Sequence, residues 1–144
     1  MITKDKLMSI HANKRLWQKH VLAENRRSIE GLLATLCAEP VYEVMATGEK
    51  HVGRAGVAAF YSGLFEAMPD VTFELKNVYI GENGVVEESA LVGTHTGPLF
   101  NIPATGQPVH LPLTIVFPMQ NGEILGERLY FDMDSLNRQL GRRA

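Results

Sequence analysis

Asp132 is a residue whose type and position suit acid–base chemistry. It ends a segment, residues 123–132, in which most of its neighbours are apolar or aromatic. Burial there would raise the pKa of the carboxyl group and let it exchange protons near neutral pH. Asp132 also begins the sequence DMDSL, so it is suited to cap a C-terminal helix, as are Asp134 and Ser135. The residue pattern by itself favours the cap.

Three more side chains lie at or near predicted strand ends. His95, within GTHTG, would either reach the mouth of a cavity or serve as a hydrogen-bonded structural residue. Tyr130 would either donate a hydrogen bond to a developing enolate oxygen or pack across the strands. His110 points away from the apolar row of its strand, which favours solvent exposure over a polar contact inside a pocket.

Glu127 and Arg128 are neighbours in a predicted strand, so only one of them faces inward unless the strand contains a bulge. An inward Arg128 beside Tyr130 and Asp132 would keep the aspartate ionised. An inward Glu127 would need a polar partner. The sequence leaves both alternatives open.

The helical segments offer further candidates for lining a pocket, although core packing is the stronger interpretation for two of them. The three candidates are Trp17, His20 and Tyr61, and core packing is favoured for Trp17 and Tyr61.

The five histidines form no HxxxH or HxH pair, and the one cysteine, Cys37, has no partner. No glycine-rich nucleotide loop and no GxSxG turn is present. We therefore expect a mechanism without a metal or other cofactor.

The bulk properties favour an ordinary globular chain. A length of 144 residues predicts one domain spanning residues 1–144. A net charge of −2 argues against a nucleic-acid or anionic-membrane surface. Neither a signal peptide nor an apolar run long enough to span a membrane is found, and Cys37 cannot form an internal disulfide. These features predict a cytoplasmic location.

Hydrophobic periodicity predicts three helices before the main run of strands. In the first, from Thr3 to about Ala23, the apolar residues Leu7, Ile10, Trp17 and Val21 form one stripe. A second, capped by Ser28, is predicted to extend to Cys37, which we place in the core. The third follows a helical repeat of apolar residues from Val57 to Met68 and ends before Pro69.

Alternating patterns then predict strands. A short strand at residues 41–45 precedes a turn at 47–50, and further strands follow at 71–75, 85–96, 109–119 and 123–132. The last two are joined at Asn121-Gly122, a strong hairpin signal. Helices followed by strands indicate an α+β fold with a curved antiparallel sheet packed on the helices.

Two segments in the C-terminal part resemble a known family. GTHTGPLFNIPATGQPV and GERLYFDMDSLNRQLG are similar to the signature regions of the SnoaL-like polyketide (ester) cyclases, members of the nuclear transport factor 2-like superfamily. Upstream, AMPD at 67–70, the glycines around 48–56 and the pair Glu24-Asn25 also fit. The resemblance implies a cone-shaped fold with an apolar cavity.

The resemblance also changes the interpretation of the candidate residues. SnoaL-like cyclases use an aspartate near the end of the chain as acid–base catalyst, and Asp132 is the best match to it. With His95 and Tyr130, it would catalyse an intramolecular aldol closure of a small apolar carbonyl compound. Similar cyclases often carry a histidine on the early strand, where this chain has Tyr42 and Glu43, and some carry one after Glu-Asn, where this chain has Arg26.

Other functions of the same fold stay open at this point. One alternative is a non-catalytic binding or dimerisation module. Another is an enzyme that acts on epoxides; Arg128 with Asp132 is suggestive of such an enzyme, but the second aspartate that this chemistry needs is not evident. We also expect a homodimer. The apolar row Val109–Met119 would be too large to leave in water if it were exposed in a monomer.

Overall fold

The structure, a computed structural model, describes residues 1–142 and has the expected α+β organisation. In chain order, the elements are α1 (Lys4–Asn25), α2 (Ile29–Leu33), β1 (Leu36–Val44), β2 (Glu49–Val52), α3 (Gly53–Ala67), β3 (Thr72–Gly81), β4 (Gly84–Thr94), β5 (Pro108–Gln120), β6 (Glu123–Tyr130) and α4 (Met133–Gln139). No helix within residues 1–142 is long and apolar enough to cross a membrane.

The strands form one six-stranded sheet in the order β2-β1-β6-β5-β4-β3. All neighbouring pairs are antiparallel except β1 and β6, which run parallel, with Val41 opposite Gly126 and Val44 opposite Leu129. The sheet curves, and α1 and α3 pack against its inner face. The hydrophobic core lies between these helices and the inner face.

The buried side of α1 is polar, which differs from the predicted apolar stripe. Leu7 is 45% exposed, whereas Asn13, Trp17, His20 and Glu24 are all buried. These four residues are spaced by four, three and four positions, so they lie on one face of the helix. A helix that buries amide, imidazole and carboxyl groups must provide partners for them inside the protein.

The second helix is shorter than predicted, because residues 36 and 37 belong to a strand. Ser28 caps α2 as expected, and its hydroxyl accepts a hydrogen bond from the Gly31 amide at 3.0 Å. The prediction that this helix extends to Cys37 was therefore wrong. Pro40 lies within β1, between Leu36 and Val41, where the pairing with β6 shifts register. A proline cannot donate a ladder hydrogen bond, so an irregular position in a strand accommodates it.

The apolar row of β5 is buried inside the single chain. Its members are at most 6% exposed and face α1 and α3 with the rest of the inner face; they are Val109, Leu111, Leu113, Ile115, Phe117 and Met119. The argument for a homodimer that relied on exposure of this row was therefore wrong, because the row already has an intramolecular partner.

A bulge in β6 decides which of Glu127 and Arg128 faces inward. The register with β5 passes from Val116 opposite Arg128 to Met119 opposite Ile124, so β6 has one residue more than β5 over this stretch. Gly126 lies in the bulge with φ of +151°, and a Cβ there would overlap the Val41 carbonyl group. The extra residue lets Ile124 and Glu127 both face the core, and Glu127 is 2% exposed.

Candidate active site

An apolar pocket opens between α3 and the inner face of the sheet. Its cavity volume is about 160 Å³. The lining comes from α3, the loop after β4, and strands β2 to β6; its apolar members are Ala59, Phe60, Gly63, Leu64, Phe73, Leu91, Pro98, Leu99, Phe100, Leu111, Leu113, Leu129 and Phe131. The rings of Phe100 and Phe131 stack with centroids 5.5 Å apart. Glu49 and His51 supply the polar side chains of the lining.

A cluster of buried polar side chains lies next to this pocket in the fold. Glu127 is two residues before the lining residue Leu129 on the same strand, so their Cα atoms are about 7 Å apart. Tyr61 is one helical turn before the lining residue Leu64 on α3. The inner surface thus changes from apolar to polar over two residues of β6 and over one helical turn of α3.

Glu127 is the centre of this buried cluster. Its Oε2 atom accepts a hydrogen bond from the Tyr61 hydroxyl at 2.8 Å and lies 3.1 Å from His20 Nε2. The Tyr42 and Tyr61 hydroxyl oxygens are 2.7 Å apart. Since the Tyr61 proton is used toward Glu127, Tyr42 donates to Tyr61. The result is a relay in which one phenol donates to another and the second donates to a carboxylate.

The hydrogen bonds of Thr35 fix the tautomer of His20. The Thr35 hydroxyl donates to the Leu32 carbonyl oxygen at 2.6 Å, so at 2.7 Å from His20 Nδ1 it must accept from that nitrogen. With Nδ1 protonated, the 3.1 Å contact between Nε2 and Glu127 Oε2 needs one proton. His20 Nε2 also lies 3.2 Å from the Tyr61 hydroxyl oxygen, so the imidazole, the phenol and the Glu127 carboxyl group form one hydrogen-bonded cluster inside the protein.

Both phenols of the relay stay protonated. Burial, followed by the charge of Glu127, raises the pKa of Tyr42 and of Tyr61 well above the usual range. A phenol that does not ionise is a permanent hydrogen-bond donor. The cluster thus combines a proton acceptor with two donors, as general acid–base chemistry requires.

Two further carboxyl groups are buried near Glu127. Glu87 Oε1 accepts from Trp17 Nε1 at 3.0 Å, and its Oε2 accepts from the Ser89 hydroxyl at 2.7 Å. Burial is the main reason that the pKa of Glu87 is raised. Burial, together with the charges of Glu127 and Glu87, raises the pKa of Glu24 well above its usual range.

Asp132 does not occupy this cluster, and the expectation that it is buried was wrong. It is the N-cap of α4; one carboxylate oxygen accepts from the Asp134 amide at 3.2 Å and the other from the Ser135 hydroxyl at 2.7 Å. The Ser135 hydrogen bond is the main cause of a lowered pKa for this exposed carboxyl group. The capping interpretation of DMDSL describes its geometry.

His95 and Tyr130 are not brought together with Asp132. Tyr130 is 41% exposed, and its register partner is Thr114, on the outer side of the sheet. His95 is fully buried, with Nδ1 2.9 Å from the Thr105 hydroxyl. Its Nε2 atom has no hydrogen-bond partner within residues 1–142. From the YFD sequence, Phe131 is the residue that lines the pocket.

The other candidates divide between the interior and the surface. Trp17, His20, Tyr42 and Tyr61 are buried and belong to the polar clusters described above. His110 is more than half exposed and lies 3.7 Å from Glu74. Arg128 lies opposite Val116 on the outer face of the sheet. Within residues 1–142, no ion pair joins Arg128 to Asp132, so the described residues lack the Arg128–Asp132 arrangement that suggested epoxide chemistry.

Sequence reasoning missed four polar residues of this region, namely Glu24, Thr35, Glu49 and Glu87, and also His51 as a pocket residue. The spacing of Asn13, Trp17, His20 and Glu24 was a usable signal for a polar helix face. Glu49 was assigned to a turn, because its four-residue strand is too short for alternation to be recognised. In residues 1–142, no group of three or more His, Cys, Asp or Glu side chains is arranged to hold a metal ion.

Comparison with known proteins agrees with this fold and connects it to a family. The model of the SnoaL-like polyketide cyclase family matches residues 14–140. Since this match covers most of the chain, the protein belongs to the SnoaL-like polyketide cyclase family. No curated protein matches the chain significantly.

Solved structures with the same fold share little sequence with the chain. A candidate SnoaL-like polyketide cyclase from Jannaschia sp. CCS1 is 19% identical with a TM-score of 0.79, and the match covers 100% of this chain and 99% of that one. AclR, a candidate hydroxylase from Streptomyces galilaeus, is 23% identical with a TM-score of 0.77, over 94% and 99% of the two chains.

A nuclear transport factor 2-like protein of unknown function from Burkholderia pseudomallei is 17% identical with a TM-score of 0.76, over 90% and 97% of the two chains. At such identities the similarity establishes the fold. The chemistry has to be argued from the side chains of this chain.

Proposed function

We propose that the protein is a cyclase-type enzyme that uses acid–base chemistry without a cofactor on a small, largely apolar carbonyl compound. The observation that carries the proposal is the buried contact of the Glu127 carboxyl group with His20 and Tyr61 next to the apolar pocket. Family membership supports a cyclase in general terms. The assignment of chemistry to Glu127 is our own.

In the proposed reaction, the Glu127 carboxylate removes a proton from the carbon beside a carbonyl group. The carbonyl oxygen becomes an enolate oxygen. In this step the Tyr61 hydroxyl turns from Glu127, which now holds the abstracted proton, and donates to the enolate oxygen while it accepts from Tyr42. The enolate carbon then forms a bond to a second carbonyl carbon of the same molecule. The oxygen of that second carbonyl takes up the proton, so the product is a cyclic β-hydroxy ketone with the same atoms as the substrate.

The route from the pocket to Glu127 passes the lining residues that neighbour the cluster. Leu129 and Leu64 are the lining residues next to Glu127 and Tyr61 on their own elements. A substrate that reacts at Glu127 has to displace one or both leucine side chains. The reacting carbon would then enter an environment from which bulk water is excluded.

The first experiment follows the exchange of hydrogen for deuterium next to the carbonyl group of acetophenone in D₂O by NMR. We expect Glu127→Gln to slow exchange by about 100-fold or more, because general base catalysis contributes about 10²–10⁴-fold. Asp132→Asn is the matched control. It removes the same charge from an exposed helix cap, and asparagine is also a good cap, so we expect exchange close to that of the wild type.

The reverse result would contradict the proposal. If Asp132→Asn abolished exchange while Glu127→Gln preserved it, the acid–base role would belong to Asp132, as the family resemblance implies. Both variants should show circular dichroism spectra like that of the wild type, so that loss of exchange is not a loss of folding.

A second candidate function is a binding module without catalysis. The specific observation in its favour is that Tyr42, Tyr61, Glu127 and His20 satisfy one another's hydrogen bonds, as a structural network would. A ligand that binds tightly in thermal-shift measurements, with no exchange of its protons beyond the rate in buffer, would favour this function.

A further inference from the structure

The apolar pocket has one polar corner, made by two side chains of β2. Glu49 and His51 alternate with the exposed Lys50 and Val52, so both lie on the strand face directed toward the pocket. The other lining side chains are leucine, phenylalanine, proline and alanine, with one glycine. A ligand in this pocket would find its hydrogen-bonding groups at this corner.

His51 is held in place by its neighbours. Its ring packs against the Phe60 ring, with centroids 5.0 Å apart, and its backbone pairs with Tyr42 of β1. The Nε2 atom is buried and makes no hydrogen bond within residues 1–142, although Glu49 Oε2 lies 3.4 Å away. A buried nitrogen without a partner costs free energy, which a ligand with a matching polar group would recover.

We propose that Glu49 and His51 recognise a neutral hydroxyl group on a ligand whose apolar part is about the size of one six-membered ring. A hydroxyl group both donates and accepts, so it can donate to the Glu49 carboxylate and accept from the imidazole N–H. A ligand carboxylate would be repelled by Glu49. An ammonium group would lose its hydration in a pocket whose walls are otherwise apolar.

The cavity volume sets the size of the ring. A volume of about 160 Å³ is close to the roughly 150 Å³ of an engineered apolar cavity that binds benzene. A single hydroxylated ring fills such a space, whereas a fused multi-ring compound does not fit within it. The buried part of the ligand is thus a single ring that carries a hydroxyl group, and phenol is its simplest aromatic example.

The inference rests on the proposed function only in taking this pocket as the substrate site. It names the polar group by which a substrate would be oriented. Its test measures binding and not turnover, so the two ideas fail separately. Phenol binding without any proton exchange in acetophenone would leave this inference standing and contradict the proposed reaction.

The experiment compares the dissociation constants of phenol, toluene, benzoate and benzylamine by ligand-observed NMR. In the wild type we expect phenol to bind about tenfold more tightly than toluene, from one or two hydrogen bonds of ordinary strength. His51→Phe keeps an aromatic ring against Phe60, and Glu49→Gln keeps the shape of the side chain. Both variants should lose the preference for phenol while binding toluene as before.

His110→Phe is the control, because it removes an exposed histidine on the opposite side of β5 from the pocket lining. It should leave all four constants unchanged. Equal binding of phenol and toluene, absence of phenol binding, a preference that survives both β2 substitutions, or tighter binding of benzoate or benzylamine would each overturn the inference.

Discussion

Glu24 shows how a single buried side chain makes the stability of this protein depend on pH. Its carboxyl group shares the interior with Glu87 and Glu127, and its pKa is raised well above the usual range. A carboxyl group with a raised folded-state pKa binds protons more readily in the folded than in the unfolded chain. Its contribution favours folding below about pH 4.3, the pKa of an unfolded glutamate, and is lost as pH rises through the folded-state pKa.

We therefore predict that Glu24→Gln stabilises the protein at high pH. At pH 8 the substitution should raise the free energy of unfolding by about 1–3 kcal/mol, because it removes a carboxylate that is buried beside others. At pH 4 the variant and the wild type should differ little. Urea denaturation at the two pH values measures both quantities.

Glu66→Gln is the control, since it changes an exposed carboxylate of α3. It should leave the pH dependence of unfolding unchanged. A Glu24→Gln variant that follows the wild-type pH profile would show that Glu24 does not titrate within the folded interior.

At the residue scale, the sequence predicted the kinds of chemical groups better than their places. Carboxylate, phenol and imidazole groups were expected at an acid–base site, and such groups form the buried cluster. Asp132 was favoured for catalysis only through the family resemblance, whereas the local pattern DMDSL favoured the cap. Local hydrogen bonding decides the position of an exposed aspartate before a helix, and that information is present in the neighbouring residues.

Among the elements, the bulge in β6 positions the proposed catalytic carboxylate. Without the extra residue at Gly126, Ile124 and Glu127 would point to opposite faces of the sheet. The close approach of Gly126 to the Val41 carbonyl group leaves no space for a Cβ atom. The parallel pairing of β1 with β6 thus depends on a residue without a side chain at this point.

Gly126→Ala should therefore disrupt the pairing of β1 with β6. We expect a loss of about 3 kcal/mol in the free energy of unfolding, from the steric overlap and the positive φ together. The measurement is thermal and urea denaturation, with amide hydrogen exchange in β1 as a local readout.

The matched control for that variant is Gly81→Ala, another strand glycine, whose added Cβ would be in ordinary contact at 3.7 Å from the Gly84 carbonyl oxygen. It should cost far less. Similar losses for both variants would mean that Gly126 has no special steric role.

The sequence could not have shown this bulge. A bulge shifts the alternation of inward and outward residues by one position. In ILGERLYF, both sets of alternate residues contain apolar and polar side chains, so the sequence does not show which set faces inward. The neighbours Glu127 and Arg128 made the alternatives visible, but the choice depends on the contact of Gly126 with β1, a strand distant in sequence. Long strands such as β5, with regular alternation, were predicted nearly to the residue.

For the whole molecule, we propose a homodimer formed through the outer face of the sheet. The row of register partners Tyr79, Val86, Val116 and Arg128 lies on this face, next to the partly exposed Tyr130. Tyr79 is 58% exposed, although its ring is large and apolar apart from the hydroxyl group. A second copy of the chain would cover these side chains.

Analytical ultracentrifugation at micromolar concentration tests the dimer, for which we expect twice the mass of the chain. Val116→Glu should then shift the population toward the monomer, because it places a charge in the centre of the proposed contact. Glu82→Gln, on the turn between β3 and β4, is the control and should not affect the mass. A monomeric wild-type protein would refute the proposal.

The position of β6 has a consequence for the order in which the protein is built. β1 has only β2 and β6 as neighbours in the sheet, and Leu36 pairs with Ile124, far along the chain. Contacts between such distant segments form slowly, since a long loop must close before they are made. During synthesis, the β1–β2 pair leaves the ribosome before β6, the strand that connects it to the rest of the sheet. The strand that carries Glu127 also joins the Glu49–His51 corner to the remaining strands, so the apolar pocket and the buried cluster around Glu127 are completed in the same late step.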